Sequence, residues 1–177
     1  MKPSAKSLIL LAALFGQLAS TAFAQEKTDY TLNDDKVHFH VPPSWKAIME
    51  KTDGNPEAIA FQVPDPTAQG SDDSATVTVK SRLLKTPEQF DSVLLEERLH
   101  AKEQAGYALD ISNTDGAVNQ YFVMRGKTKY LVRDSFHRSG AYAVAVRCQR
   151  PLLDKTPPAW ITEFDGSCAG VTASISP

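Results

Sequence analysis

The chain has 177 residues, with 19 basic and 21 acidic side chains, a formal charge of −2 and two cysteines. A mildly acidic balance argues against duplex nucleic acid as a partner, and after the N-terminus no apolar run approaches the roughly 20 residues that span a bilayer. A chain of this size buries about 70% of the surface its unfolded form exposes, enough for one self-sufficient core.

The first 24 residues read as a secretory signal. Lys2 and Lys6 form a positive start, residues 8–15 are unbroken apolar, and Ala22-Phe23-Ala24 supplies the small-x-small pattern that precedes cleavage. Cleavage before Gln25 leaves about 153 residues and, by removing two lysines, a formal charge of about −4. The expected location is the periplasm or the exterior. Residues 25–36 are polar and are expected to be a flexible lead into a single domain over 37–177.

Val37-His38-Phe39-His40-Val41 alternates and reads as a strand, ended by Pro42-Pro43 because proline donates nothing to a ladder. Trp45 follows in a short polar turn. Strands are expected over 58–63 and 75–84, the second with Val77 and Val79 on one face and Thr76, Thr78 and Lys80 on the other, separated by a Pro/Asp/Ser/Gly-rich loop over 64–74.

Thr86-Pro87-Glu88-Gln89 has the form of a capping box and opens a helix of about 20 residues that stops at Gly106. Phe90, Val93, Leu94, Ala101 and Ala105 would pack on a sheet. Leu95 and Leu99 lie nearly opposite, which suits leucines that touch a loop or stay exposed, or else a partner-binding stripe.

Three strand candidates follow. Residues 107–112 end at Asp115-Gly116; Gly126-Lys127 suits a two-residue loop with glycine first; Arg138-Ser139-Gly140 suits a three-residue loop. The last choice pairs Phe136 with Tyr142 and Val132 with Val146, so that the inward sets of the two strands coincide. Asp134 shares that inward parity. A rim position or a bond to Tyr142 would accommodate it.

Tyr142, Val144, Val146 and Cys148 alternate inward, and after Thr156-Pro157-Pro158 the residues Trp160, Phe164, Cys168 and Val171 recur along one helical stripe. Both thiols then face one layer. In an exported chain this predicts a Cys148–Cys168 disulfide rather than a reactive thiol. Together these elements describe an α+β fold, a central antiparallel sheet flanked by one long helix and a C-terminal helix.

Chemistry is expected on the face opposite the core. The assumed register sets Arg133 beside Ala145, His137 beside Ala141 and Leu131 opposite Arg147, while the Gly126-Lys127 turn sets Phe122 opposite Leu131 with Met124 adjacent. A shallow, cationic and apolar surface of Phe122, Met124, Leu131, Arg133, His137 and Arg147 would suit an acidic partner segment, or a ligand with an apolar body and an acidic group. The alternative is that a helix covers this face. His38 and His40 share one strand face at a spacing that metals use, but zinc needs further ligands and only His100 and His137 remain, so an exposed polar face is the preferred reading.

No Gly-x-Ser-x-Gly elbow, His-Glu-x-x-His, Walker loop or dinucleotide fingerprint is present, and the adjacent Glu96 and Glu97 cannot face each other as an acid and base pair. No catalytic residue, metal or cofactor is therefore assigned.

The order of elements, with Val41-Pro42-Pro43-Ser44-Trp45-Lys46 after the opening strand, a helix entered through Thr86-Pro87-Glu88-Gln89-Phe90, a run of hairpins and a closing helix, resembles the Mog1/PsbP-like fold over most of residues 37–171. The resemblance implies an antiparallel sheet flanked by helices and a non-enzymatic role, as assembly factor, accessory protein, chaperone or binding module. It implies no common site. The expectation is a binding protein of the bacterial envelope whose partner is another envelope or secreted protein, such as an assembly client or a toxin; the alternative is a periplasmic carrier of a small molecule or metal.

Overall fold

The computed structural model describes residues 27–68, 73–113, 115 and 118–177. The expected signal segment and its cleavage site lie outside them, as does Gly116 of the expected Asp115-Gly116 turn. Among the described residues, β1 (Thr28–Leu32) and β2 (Val37–Val41) form a hairpin of their own. A seven-stranded antiparallel sheet contains β3 (Lys46–Lys51), β4 (Glu57–Val63), β5 (Ala75–Leu83), β6 (Ala108–Leu109), β7 (Val118–Arg125), β8 (Thr128–Ser139) and β9 (Tyr142–Pro151), in the order β3-β4-β5-β9-β8-β7-β6. Helix α1 (Gln89–Lys102) follows β5, and α2 (Pro158–Ser174) closes the chain. The α+β expectation holds.

Strand β1 occupies part of the segment expected to be flexible. Only Tyr30 and Leu32 turn inward from it, and it is ordered by pairing with β2, Tyr30 opposite Phe39 and Leu32 opposite Val37. Trp45 closes the expected short turn, its amide donating to the Pro42 carbonyl, and strand β3, which the residue pattern does not announce, follows it. It is a mostly exposed edge with an irregularity between Ala47 and Met49, a common way of blunting an edge.

The core is divided between the two faces of the large sheet. On one face Phe39, Phe61, Val77, Val79, Val144, Val146 and Cys148 meet Phe164, Cys168 and Val171 of α2, with the β1–β2 hairpin laid over them. The expected bridge is present: Cys148 on β9 and Cys168 on α2 are joined, their Cα atoms 6.3 Å apart. On the other face a smaller cluster of Tyr121, Val123, Tyr130 and Val132 packs with Ala101 of α1.

Helix α1 differs from expectation in length and in packing. It runs for 14 residues, and of its side chains only Glu97 and Ala101 are buried; Phe90, Val93 and Leu94 are half-buried, Ala105 is exposed beyond the helix, and Leu95 and Leu99 face solvent. The reason lies beneath it. This face of β5 and β9 presents Thr78, Lys80, Arg82 and Arg147, so α1 is tied down by Lys80–Glu97 and Arg82–Glu96 ion pairs more than by apolar contact. Gln89, expected to close a capping box at the helix start, accepts from the Lys85 amide at 2.7 Å instead.

Candidate functional site

The Gly126-Lys127 turn joins Arg125 to Thr128 with Gly126 at φ +58°, as expected, and places Phe122 opposite Leu131. The β8–β9 turn is different. Two residues, Gly140 and Ala141, connect Ser139 to its partner Tyr142, with Gly140 at φ +57°, which suits a turn that needs a left-handed first residue. This moves the register from the expected pairing by an odd number of residues: Phe136 faces Ala145, Val132 faces Gln149, Arg133 faces Cys148 and His137 faces Val144. An odd shift turns every side chain of one strand to the other face.

The consequence is a sorting of the expected site residues. Phe122 and Met124 of β7 and Leu131, Arg133 and His137 of β8 share the face on which α2 lies, next to Cys148 of β9. Arg147 does not join them. It projects from the opposite face, where its Nε and Nη2 donate to the two carboxylate oxygens of Asp134 at 2.7 and 3.0 Å. Burial opposes its charge, but the hydrogen bonds and charge of Asp134 outweigh that effect and raise its pKa above the ordinary guanidinium value. Asp134 is 2% exposed, so it is not at a rim, and it is bonded to Arg147 and to the Tyr121 hydroxyl at 3.0 Å rather than to Tyr142. Burial, then the Asp134 charge, pushes the Tyr121 phenol up.

Two cations missed by the sequence reading occupy the α2-side face. Lys129 lies with its ammonium 4.0 Å from the centre of the Phe122 ring, and its place beside Leu131 follows from the Gly126-Lys127 turn. Arg150, not Arg147, stands opposite Leu131. It is buried, its Nε lies 3.9 Å from Asp165 of α2, and that nitrogen has no hydrogen-bond partner. Only the correct turn length reveals it.

Helix α2 covers β9 and β2 and leaves the β7–β8 part of this face open. Between α2 and β8 lies a groove of about 340 Å³. The disulfide sits at its base, Ala169 and Ala173 of α2 form one wall, and Arg133, Ser135 and His137 of β8 form the other. Asp115 and Val118 also line it. That end is braced by the loop before β7: Asp110 accepts from the Ser112 amide, the Ser112 hydroxyl and the Gln120 amide group, which hold its carboxyl below the usual range, and Asn113 Nδ2 donates to the Val118 carbonyl. Among the described residues, Arg133 and His137 have no hydrogen-bond or ion-pair partner.

His38 and His40 project from the same side of β2. His40 pairs with Asp29 across the hairpin, and among the described residues no third ligand-type side chain completes a metal cluster.

The order of the sheet, with the last strand inserted between β5 and β8 and one helix on each face, can be compared with known folds. A structure of a point mutant of the protein Mog1 is similar, with a TM-score of 0.51 and 11% identity, over 85% of this chain and 95% of that one. The fold is Mog1/PsbP-like. LpqN, involved in cell envelope biogenesis of Mycobacterium tuberculosis, is also similar, with a TM-score of 0.47 and 14% identity over 86% of this chain and 91% of that one. No protein-family model and no curated protein matches the chain. On this Mog1/PsbP-like frame the Cys148–Cys168 bridge is compatible with an exported protein, and no described helix is long and apolar enough to cross a membrane.

Proposed function

We propose that the protein is an exported, non-enzymatic binding protein of the bacterial envelope, an assembly factor or toxin-neutralising protein that acts by contact with another protein through the open α2-side face of β7 and β8. One observation carries this reading: Arg133 and His137 have no partner among the described residues, on a rigid sheet beside half-buried Phe122 and Leu131. Arginine and aromatic side chains held rigidly at a surface are the composition of interface anchors. The sequence of residues 1–24 and the disulfide support export.

A second reading, a carrier of a small molecule, is favoured by the groove, whose 340 Å³ is in the range of small-ligand sites. The test installs a photocrosslinking amino acid in place of Leu131, with Ile48 on the far edge strand as control, in the native host. A discrete protein adduct from position 131 and none from position 48 is expected. Equal labelling from both positions, or no adduct together with a small mass retained in native mass spectrometry, overturns protein contact; the retained mass points to the carrier.

A further inference from the structure

Resting on that reading, we infer that the partner docks an acidic, extended segment into the groove between α2 and β8, with two carboxylates four residues apart. Arg133, Ser135 and His137 occupy every second position of β8 and line one wall of the groove. Of the other sheet cations, Arg147 pairs with Asp134, Lys80 with Glu97, Arg82 with Glu96 and Arg125 with Gln149, while Lys129 lies over the Phe122 ring and Arg150 is buried beside Asp165. Arg133 and His137 have no such partner among the described residues, so Arg133 offers an unmatched positive charge and His137 a ring that can donate a hydrogen bond.

Spacing decides the conformation of what meets them. Four residues of strand separate the two side chains by about 13 Å, and an extended segment lying along β8 presents carboxylates at positions i and i+4 with the same separation. On a helix four residues advance only about 6 Å, so a helical partner cannot meet both side chains with one such pair. The facing wall carries small side chains, Ala169, Thr172 and Ala173, which leaves room for a backbone beside α2. Asp115 in the same groove disfavours a third carboxylate next to it. An Arg133–carboxylate pair is the stronger of the two contacts, because a guanidinium can hold both oxygens.

The test pans a random 12-residue peptide library on the purified, oxidised protein and measures synthetic peptides by fluorescence anisotropy. The expected consensus carries Asp or Glu at i and i+4. Changing the peptide's acids to amides, or making Arg133→Gln or Arg133→Glu, should weaken binding at least tenfold, whereas Arg98→Glu on the exposed side of α1 should leave it unchanged. A neutral or basic consensus, binding insensitive to the amide change, or equal loss from Arg98→Glu overturns the inference. The amide comparison uses the unaltered protein, so it holds even where a variant folds poorly. Crosslinking at position 131 reports protein contact and the peptide consensus reports acidity, so either can fail without the other.

Discussion

The Asp134–Arg147 pair provides the most quantitative test of the register. Asp134 is 2% exposed and meets Arg147 through two charge-assisted hydrogen bonds, with the Tyr121 hydroxyl as a third donor. Asp134→Ala leaves Arg147 facing the same interior without its counter-charge. Breaking one side of a buried pair costs about 3–5 kcal/mol, and the Tyr121 hydroxyl loses its acceptor for about 1 kcal/mol more. The Arg147 side chain keeps 32% of its exposure, so water relieves part of its isolation and a total near 3 kcal/mol is expected. The double variant Asp134→Leu/Arg147→Met removes both charges and should lie within about 1 kcal/mol of the parent. Urea denaturation followed by tryptophan fluorescence reads both, since Trp45 and Trp160 belong to the core on the other face. With an m-value of about 2 kcal/mol/M the single variant should lower the midpoint by roughly 1.5 M. A drop below about 0.5 M, or a double variant as damaged as the single one, refutes the pair and with it the two-residue Gly140-Ala141 turn that brings the two side chains opposite each other.

Three further outcomes are expected. Gly106→Ala should cost roughly 2–4 kcal/mol, because Gly106 has φ +69° and an added Cβ would lie 2.4 Å from Met124 Cγ and 3.2 Å from its backbone nitrogen; Gly140→Ala, also at positive φ but with open space around it, should cost only about 1 kcal/mol, and thermal melts rank the two. Removing the disulfide with Cys148→Ser/Cys168→Ser, which reopens a separation of 20 residues, should cost about 3 kcal/mol in urea, and dithiothreitol should shift the parent but not the double variant. Burial and Asp73 push the Tyr130 phenol up to about 12 from an ordinary value of 10.0, so its contribution is complete below pH 10 and is lost as pH rises through 12. Urea midpoints measured from pH 8 to pH 11.5 should fall above pH 10, and Tyr130→Phe should flatten the fall.

Hairpin chemistry and cysteine parity were legible from residues 118–171; the assignment of faces was not. Gly126-Lys127 names its own turn, and the β9 alternation together with the helical stripe through Phe164 and Cys168 brings both sulfurs into one layer. The β8–β9 register was misread because coincidence of apolar sets is a sound guide only when a sheet has one buried face. Here Tyr130 and Val132 serve the cluster on the α1 side while Val144 and Val146 serve the cluster on the α2 side, so the correct pairing sets the two sets on opposite faces. The same error placed Arg147 in the candidate site and hid Arg150. Phe122, Met124, Leu131, Arg133 and His137 still share one face, because that depends on the β7–β8 turn and on parity within each strand. Strand β3 lacks alternation, being built from mostly exposed residues, and β1 shows it over only four residues, Asp29 to Leu32, too short a run beside a polar lead to stand out.

The order β3-β4-β5-β9-β8-β7-β6 makes the final strand the joint of the sheet. As the chain emerges from its N-terminus, β3 to β5 and β6 to β8 can each close by local hairpins, but nothing joins the two halves until β9 has arrived to pair with β5 on one side and β8 on the other. Helix α2 then follows at once, bringing Cys168 to Cys148 on that same strand. The sheet is therefore completed only after nearly the whole polypeptide is out, and a chain cut short before residue 142 would hold two half-sheets with open edges. Assembly by late insertion is compatible with export of an unfolded chain, because the sheet cannot close while its last fifth, residues 142–177, is missing.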